Sequence, residues 1–150
     1  MTLHIDTDPT RLDRERIYRY LSEQSYWARQ LPRDIFERSL ANSLCFGAYT
    51  ADGEQIGFAR VITDYATFGY LADVFVVEAW RGQGVSKQLM TAVNAHPGLQ
   101  NLRRLLLATT DAHGLYAQFG FGALSRPERL MEKLDAEVYQ RLAADAGSVA

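Results

Sequence analysis

Apolar residues recur every three or four positions up to Asn42, switch to a period of about two from Leu44, and return to helical spacing after Val85. The switch divides the chain into a helical start, a β-rich middle and a mixed end. In the first part, Ile17, Tyr18 and Leu21 predict a helix over Arg14–Gln24. Ile35, Phe36 and Leu40 predict a second over Arg33–Asn42, with Pro32 in its first turn. Between them Ser25-Tyr26-Trp27-Ala28 is an aromatic cluster with no regular period. The middle predicts strands over Leu44–Thr50, Gln55–Thr63 and Phe68–Val77, joined by turns at Ala51-Asp52-Gly53-Glu54 and Asp64–Thr67. Connections this short make the meander antiparallel.

Leu89, Met90 and Val93 then predict a helix over Val85–Asn94, closed by His96-Pro97-Gly98, and the apolar run Leu102–Ala108 predicts a strand. Strand, helix and strand at this spacing form a right-handed crossover, so the last strand runs parallel to Phe68–Val77. A short helix from about Asp111 to Phe119, a strand near Phe121, a strand over Arg129–Leu134 and a helix from Ala136 complete the expected order. The class is α/β in the α+β sense, a mixed and mostly antiparallel sheet flanked by helices. With 150 residues, 47% of them hydrophobic, we expect one domain over residues 1–150.

Composition narrows the partners. No run of about 18 apolar residues is present to span a membrane, and the start M-T-L-H-I-D-T-D lacks the layout of a secretion signal, so a cytoplasmic protein is expected. The net charge of -2 gives no electrostatic reason to expect nucleic acid. Cys45, the single cysteine, rules out an internal disulfide, and its apolar setting L-C-F-G suits a packing residue better than a nucleophile. No His, Cys and carboxylate cluster has metal-ligand spacing, so no metal is expected.

The segment V-F-V-V-E-A-W-R-G-Q-G-V-S-K-Q, Val74 to Gln88, carries the main chemical signal. An apolar strand feeds through a glycine turn into a helix start, where unpaired N–H groups favour a diphosphate. Gly82 and Gly84 supply G-x-G, yet Lys87 stands where a dinucleotide fingerprint has its third glycine, and no G-x-x-x-x-G-K-[ST] occurs. What remains is a general anion cradle charged by Arg81 and Lys87, or a turn that merely joins strand to helix.

Arg81-Gly82-Gln83-Gly84-Val85-Ser86 resembles the [QR]-x-x-G-x-[GA] motif of the GNAT superfamily of acyl-CoA-dependent N-acetyltransferases, with Ser86 in the last place. Leu115-Tyr116-Ala117-Gln118-Phe119-Gly120-Phe121 resembles that family's L-Y-x-x-x-G-F element. Both motifs occur in order, and the resemblance covers about Leu44 to Leu134. It implies a sheet splayed near Val76 and Val77, with the backbone of Phe75, Val76 and Val77 along the pantetheine arm of acetyl-CoA and the diphosphate held over Arg81, Gly82, Gln83, Gly84, Val85, Ser86 and Lys87. Asp111-Ala112-His113-Gly114 stands where the family commonly has Asn-x-x-Ala, though at a shorter interval, which makes Asp111 a further candidate cofactor contact. The implied activity is direct transfer of an acetyl group to a primary amine of a small molecule, and the resemblance also suggests a homodimer.

Tyr116 takes the place of the family's general acid; read alone it is equally one core aromatic among eight tyrosines. Asp73 interrupts the apolar run L-A-D-V-F-V-V, so it needs a partner or a raised pKa. It is either the base or amine-facing carboxylate that the resemblance suggests, or a group satisfied by backbone or by an arginine such as Arg60. Asp64 either steers a cationic amine or serves its turn, and Tyr26 and Trp27 either wall the acceptor site or fill the helix junction. His113 reads as a surface or capping residue. A non-catalytic acyl-CoA-binding module and a transferase acting on protein N-termini or lysines are the competing functions on the same fold.

Overall fold

A computed structural model describes residues 2–148. Five strands form one sheet in the order β1-β2-β3-β4-β5, with β1 at His4–Asp6, β2 at Leu44–Tyr49, β3 at Gln55–Thr63, β4 at Phe68–Val76 and β5 at Arg104–Leu107. The first four pair antiparallel and β5 pairs parallel to β4, as the short turns and the crossover require. β1 was not foreseen: three residues are too few to show a period.

The helices are α1 (Arg14–Arg19), α2 (Arg33–Ala41), α3 (Val85–Ala95), α4 (His113–Ala117) and α5 (Val138–Ser148). The predicted helix over Arg14–Gln24 ends early as an α-helix and continues through Tyr20–Gln24 as one π-helical turn. Asp13 caps its start by accepting from the Arg16 amide at 3.1 Å.

The sheet divides the core into two layers. On one face α3 buries Val85, Leu89, Met90 and Val93 against Phe46, Ile56 and Val61. Gly57 permits this approach, since a Cβ there would lie 3.1 Å from Val85 Cγ1 and 3.2 Å from Leu89 Cδ1. On the other face α1, the π-helical turn that continues it and α2 bring Ile17, Leu21, Phe36 and Leu40 against Phe58 and Phe75. Cys45 is buried in this layer, and burial pushes its thiol up to about 11, which leaves it protonated and inert at neutral pH.

Two predicted strands do not form. Phe121 follows the turn after α4, where its amide donates to the Tyr116 carbonyl at 3.2 Å; in the predicted strand Arg129–Leu134, Arg129 ends the 3-10 turn Pro127–Arg129 and Met131–Leu134 make no backbone hydrogen bond among the described residues. Residues 122–137 are exposed throughout. A strand needs a neighbour's N–H and C=O groups as well as suitable side chains, and Met131–Leu134 pair with none among the described residues.

Candidate active site

The site arises because β4 is longer than its parallel neighbour. Pairing stops at Leu71 opposite Leu107, after which β4 runs on to Val76 alone on that side. A β-bulge starts the divergence: Arg60 faces Ala72 and Phe58 faces Phe75, so β4 carries one extra residue, and Asp73 takes φ +57°. Asp tolerates that left-handed conformation better than the β-branched residues around it. The sheet therefore parts at Ala72–Asp73, earlier on the strand than the Val76 and Val77 expected from sequence.

Beyond the gap the Val77 amide donates to the Ile56 carbonyl at 2.9 Å and so points at β3. Strand alternation turns the N–H and C=O of Val76 the other way, and its carbonyl accepts from Arg81 Nε at 3.1 Å. Phe75 contributes differently, with its ring buried and stacked on Tyr20 at 4.0 Å between centroids. Arg81 Nη2 also donates to the Tyr20 hydroxyl, so the motif arginine braces this end of β4.

The glycine turn that follows has the form an anion site needs. Gly82 and Gly84 adopt φ of +77° and +80°, with nothing within 4 Å of a built Cβ at either, so conformation rather than space selects glycine. Gly84 begins α3 without a side-chain cap, which leaves the first amides of the helix, those of Val85, Ser86 and Lys87, free of side-chain acceptors. A pocket of about 280 Å³ lies here, bounded by Val76, Arg81, Gly82, Gly84, Ser86, Lys87 and, from α4, Leu115. The Gln83 side chain turns back to the Ala79 carbonyl and does not line it.

A larger pocket of about 500 Å³ opens in the gap itself. β4 contributes Ala72, Asp73 and Val74, and the chain after β5 contributes Ala108 to Asp111. Tyr26 and Trp27 form the outer wall, edge to face at 4.9 Å, and the Thr110 hydroxyl donates to the Tyr26 hydroxyl at 3.1 Å. Tyr116 lies at the floor, buried, and its hydroxyl bonds to nothing among the described residues. Burial pushes that hydroxyl above the usual phenol range, with Tyr26 and Asp111 nearby adding to the shift. Tyr116 thus stays protonated at neutral pH.

Asp73 is engaged on both oxygens. Arg60 Nε donates to Oδ2 and Trp27 Nε1 to Oδ1, each at 2.8 Å, while Arg60 Nη1 reaches the Ser43 hydroxyl at 3.0 Å. Both members of the ion pair are largely buried. The arginine-satisfied alternative is therefore the observed arrangement, and Asp73 holds Trp27 and Arg60 in place within the pocket wall.

Two other candidates occupy different places from those expected. Asp64 does not reach the pocket: its carboxylate accepts from the Thr67 hydroxyl and from the amides of Ala66, Thr67 and Phe68. The Thr67 hydroxyl, then these amides, hold it well below the usual carboxylate range, so it is a turn residue. Asp111 is exposed and lines the larger pocket, not the pocket at the glycine turn where a cofactor contact was expected. Sequence reasoning missed Leu31, Ile35, Tyr70 and Tyr139 as wall residues. None carries a local signal, whereas Arg60, alone among the apolar residues I-G-F-A-R-V-I, does.

A bulged, parted sheet with a glycine turn and an uncapped helix start beside the gap is the arrangement that the GNAT resemblance implies. The model of the acetyltransferase (GNAT) domain matches residues 41–122. A protein of Gibberella zeae assigned as an acetyltransferase is 34% identical over 133 residues, covering 76% of this chain and 75% of its own. An aminoglycoside N(6')-acetyltransferase type 1 of Stenotrophomonas maltophilia is 30% identical over 109 residues, 63% of this chain and 71% of its own. The crystal structure of a Xanthomonas campestris protein assigned to the GNAT acetyltransferases superposes with a TM-score of 0.90 at 51% identity, over 93% of this chain and 97% of that one. The chain belongs to the GNAT acetyltransferase family.

Proposed function

We propose that the protein transfers the acetyl group of acetyl-CoA directly to a primary amine of a small cationic molecule, with Tyr116 as the general acid. One adjacency carries this reading. Leu115 borders the anion pocket and its neighbour Tyr116 borders the acceptor pocket, just as Val76 and Val74 do on β4. A ligand with its diphosphate at Gly82–Lys87 and its arm along Val76 and Val74 ends beside the Tyr116 hydroxyl. The uncapped amides of α3, with Arg81 and Lys87, fit a diphosphate in charge and donor count.

Acetyl-CoA supplies an activated thioester, so the protein's part is positioning and proton transfer. The amine, deprotonated to its neutral form, attacks the carbonyl carbon; as the C–N bond forms and the C–S bond breaks, the departing sulfur takes the proton of the Tyr116 hydroxyl, and the proton lost by the amine nitrogen restores that hydroxyl. No enzyme nucleophile is required, consistent with a thiol at Cys45 that is buried and held protonated.

Acceptor charge follows from the rim. Asp111 has no cation partner among the described residues, and the pocket adds Tyr26, Trp27, Tyr70 and Tyr139, whose ring faces attract cations. The aminoglycoside named for the Stenotrophomonas maltophilia relative is an amine of this chemistry. Incubating the protein with acetyl-CoA and a panel of amines while following free thiol tests the proposal. Amine-dependent thiol release is expected, greatest for polyamines and amino sugars. Binding of acetyl-CoA without release for any small amine would sink it in favour of a binding module, and release only with peptides would transfer the activity to proteins.

A further inference from the structure

The charged side chains that line the acceptor pocket, among the described residues, are Arg60, Asp73 and Asp111. Arg60 and Asp73 neutralise each other, with Arg60 Nε donating to Asp73 Oδ2 at 2.8 Å, and the second Asp73 oxygen accepts from Trp27 Nε1. Asp111 is exposed and has no cation partner among the described residues. It supplies the pocket's unbalanced charge.

The position of that carboxylate is built. The Ala112 amide donates to the Thr109 hydroxyl at 3.1 Å, which closes the chain into a turn after β5. The Thr110 hydroxyl donates to the Tyr26 hydroxyl at 3.1 Å, which ties an aromatic side chain from the loop after α1 to the same turn. Trp27, the next residue, is anchored on Asp73 and meets Tyr26 edge to face. A carboxylate beside aromatic side chains is a site for an organic cation. The site adjoins the proposed general acid: burial first, then the nearby Tyr26 and Asp111, raise the pKa of the Tyr116 hydroxyl.

This closeness sets up a chemical conflict. Only a neutral nitrogen has the lone pair that attacks a thioester carbonyl, yet a carboxylate favours the protonated form of any amine it pairs with. A nitrogen held at Asp111 is kept in its unreactive form. The group that binds there and the group that reacts are therefore different groups of one acceptor.

We propose that the acceptor carries two cationic nitrogens and that Asp111, with Tyr26, holds the one that is not acetylated. The inference rests on the acetyl transfer proposed above and names its substrate class, a diamine or an amino sugar with a second amine. The held nitrogen keeps its proton. The other, deprotonated, forms the C–N bond as the C–S bond breaks, giving an acetamide and the free thiol of coenzyme A. Acetylation is then single, because a second transfer requires the product to turn end for end. That places an uncharged acetamide against Asp111 and gives up the charge pairing.

Thiol release tests this with cadaverine, with aminopentanol, in which a hydroxyl replaces one amine, and with the trimethylammonium analogue of cadaverine. Cadaverine should have a kcat/KM roughly tenfold above that of aminopentanol, as expected of one exposed ion pair and one ring contact. The trimethylammonium analogue should match cadaverine, since its second cation cannot be acetylated. The preference should lie in KM, shrink as salt screens an exposed charge, and vanish in Asp111→Asn. Mass spectrometry should find one acetyl group per cadaverine. Equal kcat/KM for cadaverine and aminopentanol overturns the inference and leaves acetyl transfer standing, as does a preference that survives Asp111→Asn or a mainly diacetylated product. No thiol release with any amine overturns the transfer, and this inference with it.

Discussion

Trp27 Nε1 donates to the Asp73 carboxylate at 2.8 Å across a sequence separation of 46 residues, tying the loop after α1 to the bulge in β4. That bond and the Arg60 ion pair set the width of the acceptor pocket. Asp73→Asn keeps an acceptor for Trp27 and the tolerance for φ +57° but weakens the hold on Arg60. KM for the amine should rise roughly tenfold, equivalent to about 1.4 kcal/mol, with kcat changed much less. Asp73→Ala goes further, leaving Arg60 largely buried and unpaired, and should lower stability by about 3 kcal/mol in urea unfolding. Loss of kcat with KM intact in Asp73→Asn would instead make Asp73 the base.

Tyr116→Phe removes a hydroxyl and little else. Turnover should fall by about 10²-fold or more, the range for a general acid, while calorimetric affinity for acetyl-CoA stays within twofold by our expectation of about equal contacts. Because its hydroxyl is held above the ordinary phenol value of about 10, the acid form persists through neutral and mildly alkaline pH. An alkaline decline in kcat below pH of about 10 would therefore belong to another group.

Gly84 and Gly114 separate conformation from space. Neither position has an atom within 4 Å of a built Cβ, but only Gly84 has positive φ. Gly84→Ala should weaken acetyl-CoA binding roughly tenfold by shifting the start of α3, at a stability cost of about 1 kcal/mol. Gly114→Ala, inside α4, should leave both unchanged. Equal effects in the two variants would remove the role assigned to the Gly84 turn.

The Asp64 turn gives a pH-dependent prediction with a definite sign. Hydrogen bonds lower its folded-state pKa, so its contribution is complete above the unfolded carboxylate value of about 3.9 and fades as pH falls through the folded-state value. Asp64→Ala should be less stable than the wild type at neutral pH and approach it in strong acid, as measured by urea midpoints across pH. Its kcat should match the wild type, since the carboxylate lies outside the acceptor pocket.

The predicted elements from Arg33 to Leu107 agree with the structure to within a few residues, because each carries its own signal: the period-two runs of β2 to β4, the Asp52-Gly53 turn and the apolar face of α3. The glycine turn after β4 was legible for the same reason, its glycines and helix start lying within one short segment. The acceptor pocket was legible only in part. Tyr26, Trp27 and Asp73 were candidates, yet nothing local joined Trp27 to Asp73, Tyr26 to Thr110, or Tyr139 to any of them. The Arg129–Leu134 segment has the sequence of a strand, yet its first residue ends a 3-10 turn and Met131–Leu134 stay unpaired among the described residues.

By itself the sequence determined the order and kind of the central elements and the position of the anion turn, because hydrophobic period and glycine conformation act over a few residues. Tertiary structure decided where the sheet parts, that Asp73 is paired while Asp111 lines the same pocket with no cation partner among the described residues, and that β5 pairs on one side only among those residues. Those outcomes depend on which distant groups meet, and hydrogen bonds and ion pairs have no period along the chain from which to be inferred.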